Sequence, residues 1–116
     1  LRAGNDDIYV PVFDRQLELS RGSARCISRH HRTVLIEGNY LLLEQSPWNR
    51  LAPLFDLTLF LDVPIATLEQ RLITRWIDHG FEHAIATRRA LDNDIPNARL
   101  VQSQSKTADH TLPSAT

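Results

Sequence analysis

Apolar residues along this chain fall into two kinds of run. Residues 34–43, VLIEGNYLLL, open with an unbroken apolar stretch that meets Glu37 and then Gly38. Residues 57–61, LTLFL, form a second such stretch and end at Asp62. Runs this short and this apolar predict strands buried on both faces, the pattern of a parallel sheet. Between 65 and 77 the spacing changes. Ile65, Leu68, Leu72 and Trp76, with Ile73 and Ile77 beside them, recur with helical period. Pro64 opens that predicted amphipathic helix and Gly80 stops it.

The remaining segments are punctuated by turn chemistry. Residues 1–4, LRAG, resemble a helix end closed by glycine, and residues 5–7 a turn. Residues 8–13 are predicted to be extended, with Pro11 arguing against a central hydrogen-bonded strand. The polar stretch 16–32 is predicted to be a loop containing at most a short turn of helix or strand. Ser46 and Pro47 suit the cap and first turn of a short helix over 48–54. Residues 81–101 are predicted to be helical in two pieces, broken at 93–97 because Pro96 disfavours helix in the residue before it. A polar loop follows at 103–107, an edge strand at 108–112 and a frayed tail at 113–116. Strands alternating with helices predict an α/β domain over residues 1–116 with a mainly parallel sheet.

At 116 residues the chain has room for one domain, and 42% hydrophobic and 23% charged content are ordinary for a globular protein. No window nears the roughly 18 apolar residues needed to span a bilayer, and no signal-peptide pattern opens the chain. The expectation is a cytoplasmic protein with no membrane partner. Cys26 is the single cysteine, which excludes an intramolecular disulfide. The formal net charge of −1 demands no polyanionic partner, and no nucleic-acid role is expected. The arginines and histidines between 21 and 32 lack the interleaved aromatics of a nucleic-acid surface. Of the 13 basic residues only Lys106 is lysine. Arginine's planar fork suits phosphate and carboxylate, although a GC-rich genome also explains such an excess. The chain begins at Leu1 and contains no methionine, so it reads as a fragment or as a chain whose start lies upstream.

Several chemistries are absent from the pattern. Glycines stand only at 4, 22, 38 and 80, so neither G-x-x-x-x-G-K-[ST] nor G-x-G-x-x-G occurs. There is no H-E-x-x-H and no C-x-x-C. Cys26 with His30 and His31, or His79 with His83, is better explained by a solvated loop and a helix end than by a metal site. Glu37, at a strand end beside a glycine, stands where nucleotide-binding enzymes hold Mg²⁺; a strand that simply stops at a charge is the alternative. Arg71 and Arg75 are four apart and project from one helix face. That face can hold phosphates, or be a solvated surface with Glu69 and Asp78. Trp48 and Trp76 read as packing residues.

Five segments occur in one order: 10–15 (VPVFDR), 34–40 (VLIEGNY), 60–64 (FLDVP), 71–76 (RLITRW) and 93–97 (NDIPN). In that order, over about residues 1–112, the chain resembles the second half of a P-loop small-molecule kinase. The nearest group is that of uridine kinase, phosphoribulokinase and pantothenate kinase. The resemblance implies the C-terminal part of a three-layer P-loop sandwich, ATP and Mg²⁺ as cofactors, and a small-molecule acceptor. It assigns Glu37 to Mg²⁺ and the nucleotide, and Asp14 with nearby Arg15 to the acceptor. The helix after residues 60–64 would lead into a lid spanning about residues 76–97, and the arginines that reach the transferring phosphates map onto Arg71 and Arg75. Arg89 is a secondary nucleotide contact. Asn93 is assigned to the acceptor, although Asn93 and Asn97 also suit caps at a helix break.

Two parts of the family pattern are missing from these residues: the phosphate loop and the acid that serves as base on the acceptor hydroxyl. Both are expected upstream of Leu1. In the family the strand bearing the phosphate loop lies between those matching 34–37 and 57–61. Its absence implies two unpaired edges, an isolated chain that is inactive and poorly stable, and a tendency to homo-oligomerise. The alternatives are a non-catalytic, kinase-derived binding module and a truncated NTP hydrolase.

Overall fold

The computed structural model describes residues 6–114. The predicted helix end at 1–4 and the last two residues of the predicted tail lie outside them. The chain forms two compact units, Leu1–Ile36 and Glu37–Thr116.

Within the first unit, β1 (Ile8–Asp14) pairs antiparallel with β2 (Leu19–Ile27), from Ile8 opposite Ile27 to Asp14 opposite Leu19. Pro11 falls at a register shift between Val10 and Val12, where its missing N–H costs no ladder bond. The turn is closed by Asp14, whose Oδ1 accepts the N–H groups of Gln16 and Leu17, each at 3.0 Å. Arg29 N donates to Asp7 Oδ1 at 2.8 Å and ties the open end of the hairpin. The loop predicted for 16–32 therefore holds a nine-residue strand. Its polar side chains hid it, because nearly all of β2 is exposed and no buried face imposed an alternating pattern.

The strand predicted at 34–37 does not form. Residues 33–38 have no regular structure, and Val34, Leu35 and Ile36 are 42%, 87% and 46% exposed. A strand buried on both faces needs hydrogen-bonded neighbours beside it and cover above and below, and among the described residues none stands there. The apolar character continues into the second unit, where it finds partners. Leu43 is buried and forms an isolated antiparallel bridge with Ser105. Glu44 N donates to Gln104 O at 2.9 Å and Lys106 N to Leu42 O at 2.7 Å.

A 3₁₀ helix, Trp48–Leu54, follows. Pro47 rather than Ser46 is its N-cap residue, with no side-chain cap bond. β3 (Leu59–Asp62) pairs in parallel with β4 (His110–Pro113). The strand expected at 57–61 thus starts two residues later, and it is not buried on both faces, since Leu59 and Leu61 are 46% and 68% exposed. Thr58 fixes this pairing: its N–H and hydroxyl both donate to Asp109 Oδ2 at 2.8 Å, and Asp109 N donates to Thr58 Oγ1 at 3.0 Å.

α1 (Ile65–Asp78) begins directly after Pro64 and is followed, past its cap residue His79, by Gly80, whose φ of 92° is the left-handed conformation that suits glycine. α2 (His83–Arg89) and α3 (Ile95–Gln104) are joined without a break by a π-helical turn, Ala90–Asp94. There Ile95 N donates to Ala90 O, one residue beyond the α-helical reach. This wide turn accommodates Pro96 in the first turn of α3, so the predicted interruption is a change of helical pitch. Ala86, Ala90 and Ile95 are buried where these helices pack with α1. No helix among the described residues is long and apolar enough to cross a membrane.

Candidate functional site

The hairpin positions the two residues assigned to the acceptor. Asp14 ends β1 half-buried, with Oδ1 occupied by the turn. Arg15 follows it, with its guanidinium carbon 4.9 Å from the centre of the Phe13 ring. Neither contact was legible as such in the sequence, although Asp two residues before a polar turn is a known backbone-capping arrangement.

Within the second unit, Glu37 is exposed at its first residue. A β-carbon on Gly38 would approach Leu41 Cγ to 3.2 Å, so Leu41 packs close against that backbone. Arg71 and Arg75 are exposed on α1 and flank the half-buried stripe of Leu68, Leu72 and Trp76. Asn93 is exposed on the π-helical turn.

Arg89 is brought into a cluster that the sequence did not announce. Its guanidinium carbon lies 5.0 Å from the Trp76 ring centre and 4.3 Å from that of Phe81. The two rings meet edge to face at 5.5 Å, and Trp76 Nε1 donates to Asp94 Oδ2 at 2.7 Å. Trp76 is therefore a packing residue that also joins α1 to the π-helical turn. The position of Asp94 inside the NDIPN segment was the one available signal for it.

Among the described residues no group of three or more His, Cys, Asp or Glu side chains is placed to hold a metal ion. In the hairpin unit His31 Nδ1 accepts the N–H of Ser28 at 3.1 Å, an ordinary turn contact. A cavity of about 320 Å³ opens beside Leu41, Leu43, Trp48, Asn49 and Lys106. None of the residues assigned above lines it. The two hydrogen bonds from Thr58 hold the Asp109 carboxyl below the ordinary value of 3.8, against slight desolvation and helped weakly by His110 and Lys106.

No family model matches the chain. Among known proteins it is 30% identical over 109 residues to ATP-dependent kinase YFH7 of Lachancea thermotolerans, covering 88% of this chain and 31% of that protein. It is 30% identical over 110 residues to a protein of Schizosaccharomyces pombe proposed to be a uridine kinase, covering 91% and 46%. A crystal structure from Silicibacter sp. TM1040, of a protein proposed to be a fructose transport system kinase, superposes with a TM-score of 0.87 at 38% identity. That match covers 94% of this chain and 53% of the other. YFH7 of Saccharomyces cerevisiae, proposed to be a P-loop kinase with a circular permutation, superposes with a TM-score of 0.78 at 25% identity over 95% and 36%. The chain thus spans about a third to a half of the proteins it matches.

The fold is that of a portion of a P-loop kinase: α/β, with a parallel strand pair and packed helices. Within that class the chain resembles the C-terminal part of the ATP-dependent and uridine kinase-like proteins.

Proposed function

We propose that this chain is the acceptor-hairpin and lid portion of an ATP-dependent kinase that phosphorylates a hydroxyl of a small metabolite such as a nucleoside, a sugar or a pantothenate-like acceptor. The observation that carries this reading is the superposition at a TM-score of 0.87 over 94% of the chain, together with two exposed arginines one turn apart on the helix that leads into the lid. In the transfer, the bond between the γ-phosphorus and the β,γ-bridging oxygen breaks, and ADP leaves with the electron pair. The acceptor oxygen bonds to that phosphorus while its proton passes to a base outside the segments described here.

Phosphoryl transfer asks the protein for positioning and for positive charge on the equatorial oxygens. Arg71 and Arg75 supply that charge when the lid, residues 76–97, closes. Arg89, stacked on Trp76 and Phe81, steadies the lid and adds a secondary contact to the nucleotide. Asp14 takes the acceptor hydroxyls, with Arg15 and Asn93 as further acceptor contacts. Mg²⁺ is bound by one or two protein carboxylates and otherwise by phosphate and water. The hard oxygen donor of exposed Glu37 fits that role, and the ion would neutralise phosphate charge.

The test is ADP release by the full-length protein that carries this chain, with and without candidate acceptors. Release stimulated by an acceptor supports the kinase. Release indifferent to every acceptor points to an NTP hydrolase, and no release at all to a binding module.

A further inference from the structure

The irregularity in β2 gathers two arginines onto the face that carries Asp14. Residues two apart on a strand share a face, and so do residues directly opposite one another on paired strands. Val10, Val12 and Asp14 form one face of β1, and their partners are Arg25, Arg21 and Leu19. Arg21 and Arg25 are four residues apart, which on a regular strand separates them by about 13 Å. Here they stand opposite residues only two apart, so the bulge at 22–24 reduces the spacing of their attachment points to roughly 7 Å.

That arrangement is unfavourable taken by itself. Ser23 adopts φ 51°, a left-handed conformation that residues with a β-carbon avoid. Two like charges are brought together. No acid faces either arginine across the ladder, since the opposite residues are valines. Asp14 is the one acid within the two strands, and one of its oxygens is committed to the turn. Both arginines are exposed. Paired guanidinium groups at this spacing suit an oxyanion, which they bind through several charge-assisted hydrogen bonds.

We infer that the acceptor carries an anionic group, a phosphate monoester or a carboxylate, held by Arg21 and Arg25 while Asp14 contacts its hydroxyls. The inference rests on the kinase reading for the identity of the ligand as an acceptor. It makes Arg21 and Arg25 specificity residues of the hairpin.

The experiment compares matched neutral and anionic probes on the full-length protein: ribose and ribose 5-phosphate, fructose and fructose 6-phosphate, uridine and its 5′-monophosphate, pantothenol and pantothenate. Binding is measured by calorimetry and turnover by ADP release. At least one anionic probe is expected to bind tenfold or more tightly than its neutral partner, taking about tenfold as the effect of one good charged contact. The responding pair distinguishes phosphate from carboxylate. Arg21→Ala with Arg25→Ala abolishes the preference, and the double lysine variant restores part of it. Absence of a charge preference in all four pairs, or a preference that survives the double alanine variant, overturns the inference. The two readings fail separately. Charge-selective binding that needs both arginines without ATP turnover leaves the hairpin assignment standing and removes the kinase. Acceptor-stimulated ADP release without charge preference does the reverse.

Discussion

The indole N–H of Trp76, in the last turns of α1, donates to the Asp94 carboxylate at 2.7 Å. This bond spans 18 residues and ties the helix carrying Arg71 and Arg75 to the π-helical turn between α2 and α3. Trp76→Phe keeps an aromatic ring, though a smaller one, but removes the donor, leaving a half-buried carboxylate short of a partner. The expected loss is about 1–3 kcal/mol of local stability. Hydrogen exchange of residues 81–95 in the full-length protein reads it. Unchanged protection there would mean that the bond contributes nothing to the lid.

Arg89 shares the same cluster through its stack on Trp76 and Phe81. Arg89→Lys keeps the charge and loses the planar contact. It is expected to weaken protection of the same helices by about 0.5–1 kcal/mol while leaving KM for ATP close to wild type. Arg89→Ala, which also removes the charge, is expected to raise that KM. Equal KM values for the two variants would remove Arg89 from the nucleotide site.

Asp14 combines a turn role with a proposed acceptor role, and two substitutions separate them. Asp14→Asn retains an oxygen for the N–H groups of Gln16 and Leu17. It is expected to preserve the hairpin but raise KM for the acceptor. Asp14→Ala loses both functions and about 1 kcal/mol of turn stability. Amide exchange at Gln16 and Leu17, set beside acceptor kinetics, distinguishes them. An acceptor KM unmoved in both variants would confine Asp14 to the turn.

How far these features could be read from sequence depended on whether their causes were local. α1 was legible to within a residue or two because its apolar period, Pro64 and Gly80 all act within the segment. Strand–helix alternation pointed to parallel pairing, but that 59–62 pairs with 110–113 was not legible. β2 was not legible, because its pairing with β1 is set by a turn and a register rather than by its own side chains. Val34, Leu35 and Ile36 failed in the opposite direction: they have the composition of a buried strand, and among the described residues no neighbour buries them. In the candidate site, arginine spacing on α1 could be read directly. The Trp76–Asp94–Arg89 cluster required knowing that 81–104 folds back along α1, a tertiary fact.

Asp109 makes the β3–β4 junction sensitive to acid. Its carboxyl is held below 3.8 by hydrogen bonds from Thr58. A depressed folded value means that this contribution is complete above about pH 3.8 and is lost as pH falls through the folded value. Amide exchange at residues 58–62 and 110–113 should therefore accelerate in acid beyond its intrinsic trend. Asp109→Asn should remove the extra acid dependence. An identical pH profile in wild type and variant would show that the junction is held by other contacts.

The central claim is that the arginines of α1 serve phosphoryl transfer, and Arg75→Ala in the full-length protein tests it most directly. Acceptor-stimulated ADP release is measured alongside circular dichroism to verify folding. Loss of a transition-state charge contact predicts a fall in kcat of about 100-fold or more, with the fold intact because Arg75 is exposed. A folded Arg75→Ala protein that turns over ATP at the wild-type rate would contradict the account.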